Sequence, residues 1–328
     1  MSKTSTDWLP GPRLNDCRIS GATMGTRYSA RFAAPSQAGL GGVAAALDAA
    51  VAAVDRQMSN WRADSDLTRL NQAAPDRWVP IPPELASVLS RALEIGRETG
   101  NAFNIGVGDL VAAWGFGPPA ARAPQRPPAV PRPPAHQLLE LDLPNGRARK
   151  QGPVTLDLCG IAKGFGVDEL ARVLDTQGLG AWLVGIDGEL RTRGSRPDGS
   201  AWAIALEAPR DDLRTAMGVV ELADAAVATS GDYRHWTWVD GQRVSHTMDP
   251  RRGAPLYGGL AAVTVIAGRC MDADAYATAL MVAGEGDGLR LARQLGLDTL
   301  FVSREGDGFR AVGTGALGDV PGAPRPAG

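Results

Sequence analysis

The sequence predicts an α+β fold, with helices packed against mixed, largely antiparallel sheets. Segments with helical periodicity are interspersed with short runs of β-formers, without the strand–helix–strand rhythm of a parallel sheet. The stretch YRHWTWVDGQRVSHTM sets Asp240-Gly241 between alternating residues, the strongest short-range signal for an antiparallel hairpin. At 328 residues the chain is long enough to bury a sizeable core.

Residues 1–16, polar and proline-containing, are expected as a flexible arm before a domain spanning 17–315. GTRYSARF alternates like a half-buried strand. Leu40, Val43, Leu47, Val51 and Val54 recur every three or four positions, predicting an amphipathic helix over 38–57. Leu85, Val88, Leu89, Ala92 and Leu93 do the same for 83–99, with Gly100 as its C-terminal cap. Residues 118–134 hold eight prolines among 17 positions, with Arg122, Arg126 and Arg132. That composition excludes helix and central strand and predicts a cationic, extended surface insert.

VTLDL, AWLVGI, AWAIAL, GVVEL, LAAVTVIA and DTLFVS are strand candidates. Helices are expected over 163–177 and 272–283, the second stopping at Gly284. A two-residue turn in the hairpin pairs Val239 with Gln242 and, four pairs back, sets His235 opposite His246, with Cβ atoms about 4.5–5.5 Å apart. Residues 316–328 are expected as a disordered tail.

Apolar residues make up 44% and charged residues 21% of the chain, as in an ordinary globular protein. A net charge of −2, dispersed basic residues and 5% aromatics argue against nucleic acid as a partner. Cys17, Cys159 and Cys270 show no metal spacing and are expected as small fillers in a reducing compartment. The opening MSKTSTDWLPGPRLND lacks the apolar core of a signal peptide, and Leu-Asn-Asp before Cys17 is not a lipidation signal. No apolar run suits membrane insertion, so a cytoplasmic protein is expected.

Four segments carry candidate chemistry. In DADAYAT, Asp274 and Thr278 lie one helical turn apart and offer two hard oxygens to magnesium; a helix-start charge beside a buried threonine is the plainer reading of that spacing. LDLCGIAKGFGVD reads as a strand, a small-residue turn and a helix start, where backbone N–H groups and Lys163 can meet a phosphate. In ATSGDYRHW, Thr229, Ser230 and Arg234 can face phosphate oxygens or form an ordinary polar turn. In SHTMDPRRGAP, His246 and Asp249 precede a Pro-Gly turn. No GxSxG nucleophile motif and no histidine cluster suited to zinc is present. Taken singly, none of these segments decides a function.

In this order, together with GATMGTRY, MSNWRADSDLTRLN and FNIGVGDLVAAWGFGP, they resemble the ApbE family, the FAD:protein FMN transferases, over residues 21–303. The resemblance implies an ApbE-like fold around a flavin-nucleotide cleft and a magnesium-dependent transfer. FAD is the substrate, its FMN half moves onto a Ser or Thr hydroxyl of an acceptor flavoprotein, and AMP leaves. It implies flavin-nucleotide contacts at Met24, Trp61, Ala102, Phe103, Asn104, Asp157 and Lys163. It places Thr229, Ser230, Tyr233 and Arg234 near the phosphates. The Gly160 carbonyl, Asp274 and Thr278 are implied as Mg²⁺ ligands, and His246 as base for the acceptor hydroxyl.

Three residues depart from the family pattern: Asn104 replaces an aspartate, Asp109 a proline and Asp187 a glycine. An FAD pyrophosphatase giving FMN and AMP, or a non-catalytic FAD-binding protein, are the alternatives these departures keep in view. Ser20-Gly21-Ala22-Thr23 resembles the motif on which the family places FMN, but it lies in the expected first strand.

Overall fold

The computed structural model describes residues 15–34, 39–118, 129–196, 198–213, 215–234, 236–239 and 241–318. The chain opens with strands β1 (Asn15–Thr23) and β2 (Thr26–Ala34), then helices α1 (Leu40–Met58) and α2 (Asp66–Gln72). The short β3 (Val79–Pro80), α3 (Pro83–Glu98) and α4 (Gly108–Ala113) follow. Next come β4 (Leu139–Asp142), β5 (Arg147–Lys150) and α5 (Ala162–Thr176). β6 (Trp182–Ile186), β7 (Glu189–Arg193), β8 (Trp202–Glu207), β9 (Ala216–Leu222) and β10 (Ala226–Gly231) come after them. Two small hairpins, β11 (Trp236–Val239) with β12 (Gln242–Ser245) and β13 (Met248–Asp249) with β14 (Ala254–Pro255), precede β15 (Leu260–Ala267). The described chain closes with α6 (Cys270–Leu295), β16 (Asp298–Glu305) and β17 (Gly308–Thr314).

An eight-stranded sheet runs β1-β2-β6-β7-β10-β15-β16-β17. Every ladder among the described residues is antiparallel, where mixed, largely antiparallel sheets were expected. One face carries α1, α5 and α6. There Val43, Leu47 and Val51 of α1 close over Tyr28, Phe32 and Val184, each fully or nearly buried. Burying a side chain of this size stabilises the fold by about 1.5–3 kcal/mol, which is why a three-to-four-residue spacing sufficed to find α1. The opposite face carries the β8–β9 ribbon, whose Ile204 and Leu222 pack on Val227.

Helix α3 matches its expected span, and Gly100 follows it with φ +56°, its N–H donating to the Arg97 carbonyl. The hairpin register runs as expected from Val239↔Gln242 to Trp236↔Ser245; His235 and Asp240, and so the His235–His246 pairing, lie outside the described residues. β1 begins at Asn15, inside the stretch expected as an arm, pairing Asn15 with Ala34. Of the proline-rich insert, residues 119–128 lie outside the described residues, as do 319–328 of the expected tail.

Two expectations need correction. VTLDL joins no ladder: the Asp157 N–H donates to the Ile105 carbonyl, Thr155 accepts from the Gly108 N–H, and Leu156 exchanges both its backbone bonds with the Asn71 side-chain amide. Its buried backbone is satisfied by loops and a side chain instead of a strand. The helix that begins at Cys270 does break at Gly284 (φ 78°, ψ 169°), but it resumes to Leu295. Glycines hid that second half. Gly288 is needed there because a Cβ would come within 2.7 Å of the Phe301 ring. Among the cysteines, Cys17 and Cys270 are buried fillers, whereas Cys159 is exposed. No helix among the described residues is long and apolar enough to cross a membrane.

Candidate active site

The site grows from the crossing of α5 and α6. Gly164 in the first turn of α5 touches the α6 backbone: a Cβ there would lie 2.4 Å from the Cys270 carbonyl oxygen, so only glycine permits the approach. Asp168, one turn further on, accepts hydrogen bonds from the Cys270 N–H (2.9 Å) and Met271 N–H (3.0 Å) and pairs with Arg191 at 2.7 Å. It satisfies two of the free donors at the start of α6.

Four residues from Cys270, Asp274 is 5% exposed, and its Oδ2 accepts from the Gly164 N–H at 3.0 Å. Burial raises the Asp274 pKa above the ordinary aspartate value, with Lys163 and the Gly164 bond opposing. Thr278 stands one turn on, its hydroxyl 3.0 Å from that of Ser230 on β10. The turn leading into α5 closes the group, since a Cβ on Gly160 would lie 3.0 Å from Thr278 Oγ1 and 3.4 Å from the Phe103 ring. Gly160, Ser230, Asp274 and Thr278 thus form one cluster, with Phe103 at its edge.

Lys163 Nζ donates to Glu189 Oε1 at 2.7 Å and lies 3.6 Å from Asp187 Oδ2. Burial alone would lower the lysine, but the charges of Glu189, Asp274 and Asp187 outweigh it and hold the pKa above the ordinary value. Burial raises Glu189, with Lys163 opposing. Glu189 is 4% exposed, and its Oε2 has no hydrogen-bond partner among the described residues. Sequence reading missed Glu189. The available signal was an acid opening a strand two residues after Asp187, whose φ is +51°.

Other expected residues surround this group. Asp157 accepts from the Cys159 N–H and from Asn60 Nδ2, each at 2.8 Å, which ties the loop bearing Trp61 to the turn. Trp61 itself is 63% exposed, an aromatic face open to a stacking ligand. Met24 sits in the β1–β2 turn at φ 46°, its methyl against Gly166 of α5. Ala102 and Phe103 are buried, and Asn104 is 8% exposed.

Strand alternation divides the ATSGDYR segment. Ser230 faces α6. Thr229 points the other way and bonds Thr264 at 2.8 Å. Tyr233 packs with Leu206 and Leu300 on the β8–β9 side, and Arg234 lies over its ring and pairs with Glu207 of β8. The side chains of Thr229, Tyr233 and Arg234 therefore stand apart from the cluster that Ser230 joins.

His246 follows β12, its ring 6.3 Å from that of Phe116 at 67°. The turn after it is fastened to α6 by Arg251, which pairs with Asp249 and donates to the Val282 carbonyl at 2.8 Å. A cleft of about 400 Å³ lies between that turn and Gly284, lined by Ser245, Asp249, Arg251 and Met281 among others. It flanks the Asp274–Thr278 pair without including it.

Among the described residues no group of three or more His, Cys, Asp or Glu is arranged to hold a metal. The donors that converge are instead one buried carboxylate, the Thr278 and Ser230 hydroxyls and a glycine turn, all oxygen. Such a set suits Mg²⁺, which binds through one or two carboxylates plus water and substrate phosphates. By fold and site the molecule is an α+β protein that gathers a buried acid, two hydroxyls and a lysine where two helices begin.

The chain belongs to the ApbE family, whose model matches residues 24–301. It is 36% identical over 301 residues to the FAD:protein FMN transferase of Vibrio cholerae, covering 89% of each chain. Its fold is similar to the solved flavin transferase ApbE of Vibrio cholerae, with TM-score 0.80, 34% identity and coverage of 93% and 98%. It is also similar to the apo form of the Pseudomonas stutzeri flavinyl transferase ApbE, with TM-score 0.82, 33% identity and coverage of 95% and 98%.

Proposed function

We propose that this chain is an FAD:protein FMN transferase that joins FMN to a Ser or Thr hydroxyl of an acceptor flavoprotein. In the reaction the hydroxyl oxygen attacks the FMN-side phosphorus of FAD. A phosphoester bond forms, the P–O bond of the anhydride breaks, and AMP leaves with the electron pair of that bond. The observation that carries the reading is the single cluster of Gly160, Ser230, Asp274 and Thr278 inside a chain of this family.

Gly160 through its carbonyl, Asp274 and Thr278 would hold Mg²⁺. When bound, the ion supplies neutralisation of charge on the phosphates. Lys163, kept protonated by its acidic neighbours, holds positive charge beside the same cluster. Ser230 fixes the Thr278 hydroxyl. Trp61 and Met24 would border the flavin nucleotide, with Ala102, Phe103 and Asn104 forming a buried wall and Asp157 shaping the turn. His246 would take the proton of the acceptor hydroxyl, a task suited to a neutral imidazole near pH 7. Thr229, Tyr233 and Arg234 direct their side chains to the opposite face and would shape the end of β10.

The test is incubation with FAD, Mg²⁺ and a panel of acceptor flavoproteins, read by in-gel flavin fluorescence and the FMN mass increment. Labelling that disappears in Asp274→Ala supports the reading. Equal labelling by that variant removes Asp274 from the chemistry, and steady AMP release without any acceptor would favour a pyrophosphatase.

A further inference from the structure

The described end of the proline-rich insert runs from Ala129 to Pro134. Three of these residues are proline, so the stretch has few N–H groups to join a ladder. Three of the groups it retains are tied to neighbouring segments. The Arg132 N–H donates to the Pro250 carbonyl at 2.7 Å, and the Arg132 and Pro133 carbonyls accept from the side-chain amides of Asn101 (3.2 Å) and Asn104 (3.0 Å). The Arg132 guanidinium pairs with Asp109 at 2.7 Å. Val130 lies so close to Gly253 (φ +67°) that a Cβ there would come within 2.0 Å of the Val130 carbonyl oxygen.

One short strap therefore touches two walls. On one side are Asn101, Asn104 and Asp109, within and beside the segment expected to face FAD. On the other are Pro250 and Gly253, in the turn that follows His246. Upstream of the insert, Phe116 meets the His246 ring directly. Asn104 and Asp109 are two of the residues that depart from the family pattern, and both bind this strap. Asn104 also accepts from the Gly106 N–H at 2.7 Å, a donor-plus-acceptor role that an ionised aspartate could not fill.

We propose that the strap Val130–Pro134 is a positioning element that sets the His246 turn against the flavin-facing wall, locked by the Asp109–Arg132 pair. The wall itself is anchored by the core through Ala102, Phe103 and Ile105, so FAD affinity does not depend on the lock. What the lock controls is where the His246 turn sits relative to the phosphorus under attack.

The kinetic arm of the test rests on the transferase reading. Asp109→Ala and Arg132→Ala should each lower kcat of transfer about two- to fivefold, the range of a partly exposed ion pair. The double variant should fall no further than either single one, and the Kd for FAD by fluorescence titration should move less than twofold. Hydrogen exchange over residues 245–256, read without FAD or acceptor, should quicken in both single variants. Unchanged exchange, additive losses, or an FAD Kd that rises as much as kcat falls would overturn the proposal. A wild-type chain that transfers nothing would sink the transferase reading alone, leaving the exchange arm to decide this one.

Discussion

Around Asp274 the chain is buried in the crossing of two helices, whereas His246 follows a small ribbon whose base is buried and whose far end is exposed. At the first place two helices cross through Gly164, Asp168 accepts from two N–H groups that open α6, and Lys163 pairs with the buried Glu189. At the second, the β11–β12 ribbon is a separate two-stranded sheet, and Trp238 on it is 64% exposed. The contrast suits a reaction in which one substrate is small and constant while the other is a protein that must come and go. On the proposed reading, the buried floor would fix phosphate geometry and the exposed ribbon would admit a partner.

The largest effect that can break this comparison is chemical. Asp274→Ala should reduce transfer at least about 100-fold, the several kcal/mol of charge stabilisation a cation site supplies, while the far-ultraviolet spectrum stays unchanged. A variant retaining a tenth of wild-type turnover would mean that the floor is not where the chemistry occurs.

Next is the junction itself. Asp168→Ala strands the Cys270 and Met271 N–H groups and the Arg191 guanidinium, and should cost about 3–5 kcal/mol in urea unfolding, as losing one partner of a buried pair does. A loss below 1 kcal/mol would show the junction to be less dependent on that carboxylate than its contacts imply.

Smaller effects belong to exposed contacts. Asp16 on β1 pairs with Arg31, whose hydrogen bond holds the carboxyl below its ordinary value of 3.8. A depressed folded pKa gives stability that is present above the unfolded value and lost as pH falls through the folded one. Solvent screening keeps the gain under about 1 kcal/mol. Between pH 5 and pH 3 the wild-type Tm should therefore fall slightly more than that of Asp16→Asn, and equal slopes would refute the pairing in solution. Smallest of all, Trp238→Ala should change stability by no more than about 0.5 kcal/mol. A larger loss in thermal unfolding would mean that the ribbon is packed after all.

Much of the floor was legible before folding. A four-residue spacing announced Asp274 and Thr278 as neighbours because helical geometry fixes it, and Gly160 and Lys163 fell in a turn whose small residues marked it. Glu189 was only faintly marked, by its place two residues after Asp187, because a buried acid looks like any strand residue until Lys163 is seen beside it. Nor was the splitting of ATSGDYR: its residue types suit phosphate, but alternation along β10 sends Thr229 away from Ser230. The Asn104 and Asp109 departures had no evident purpose until Pro133 and Arg132 were seen against them.

By itself, then, the sequence determined the α+β class, most helices and strands, the hairpin register and the ApbE resemblance. All of these depend on periodicity, turn chemistry or order along the chain, which are local quantities. Tertiary structure alone decided which charges meet, which face of a strand sees the cluster, and what the insert touches. Those outcomes depend on pairings such as Lys163 with Glu189 and Asp109 with Arg132, whose partners lie far apart in sequence and are joined only by the packing between them.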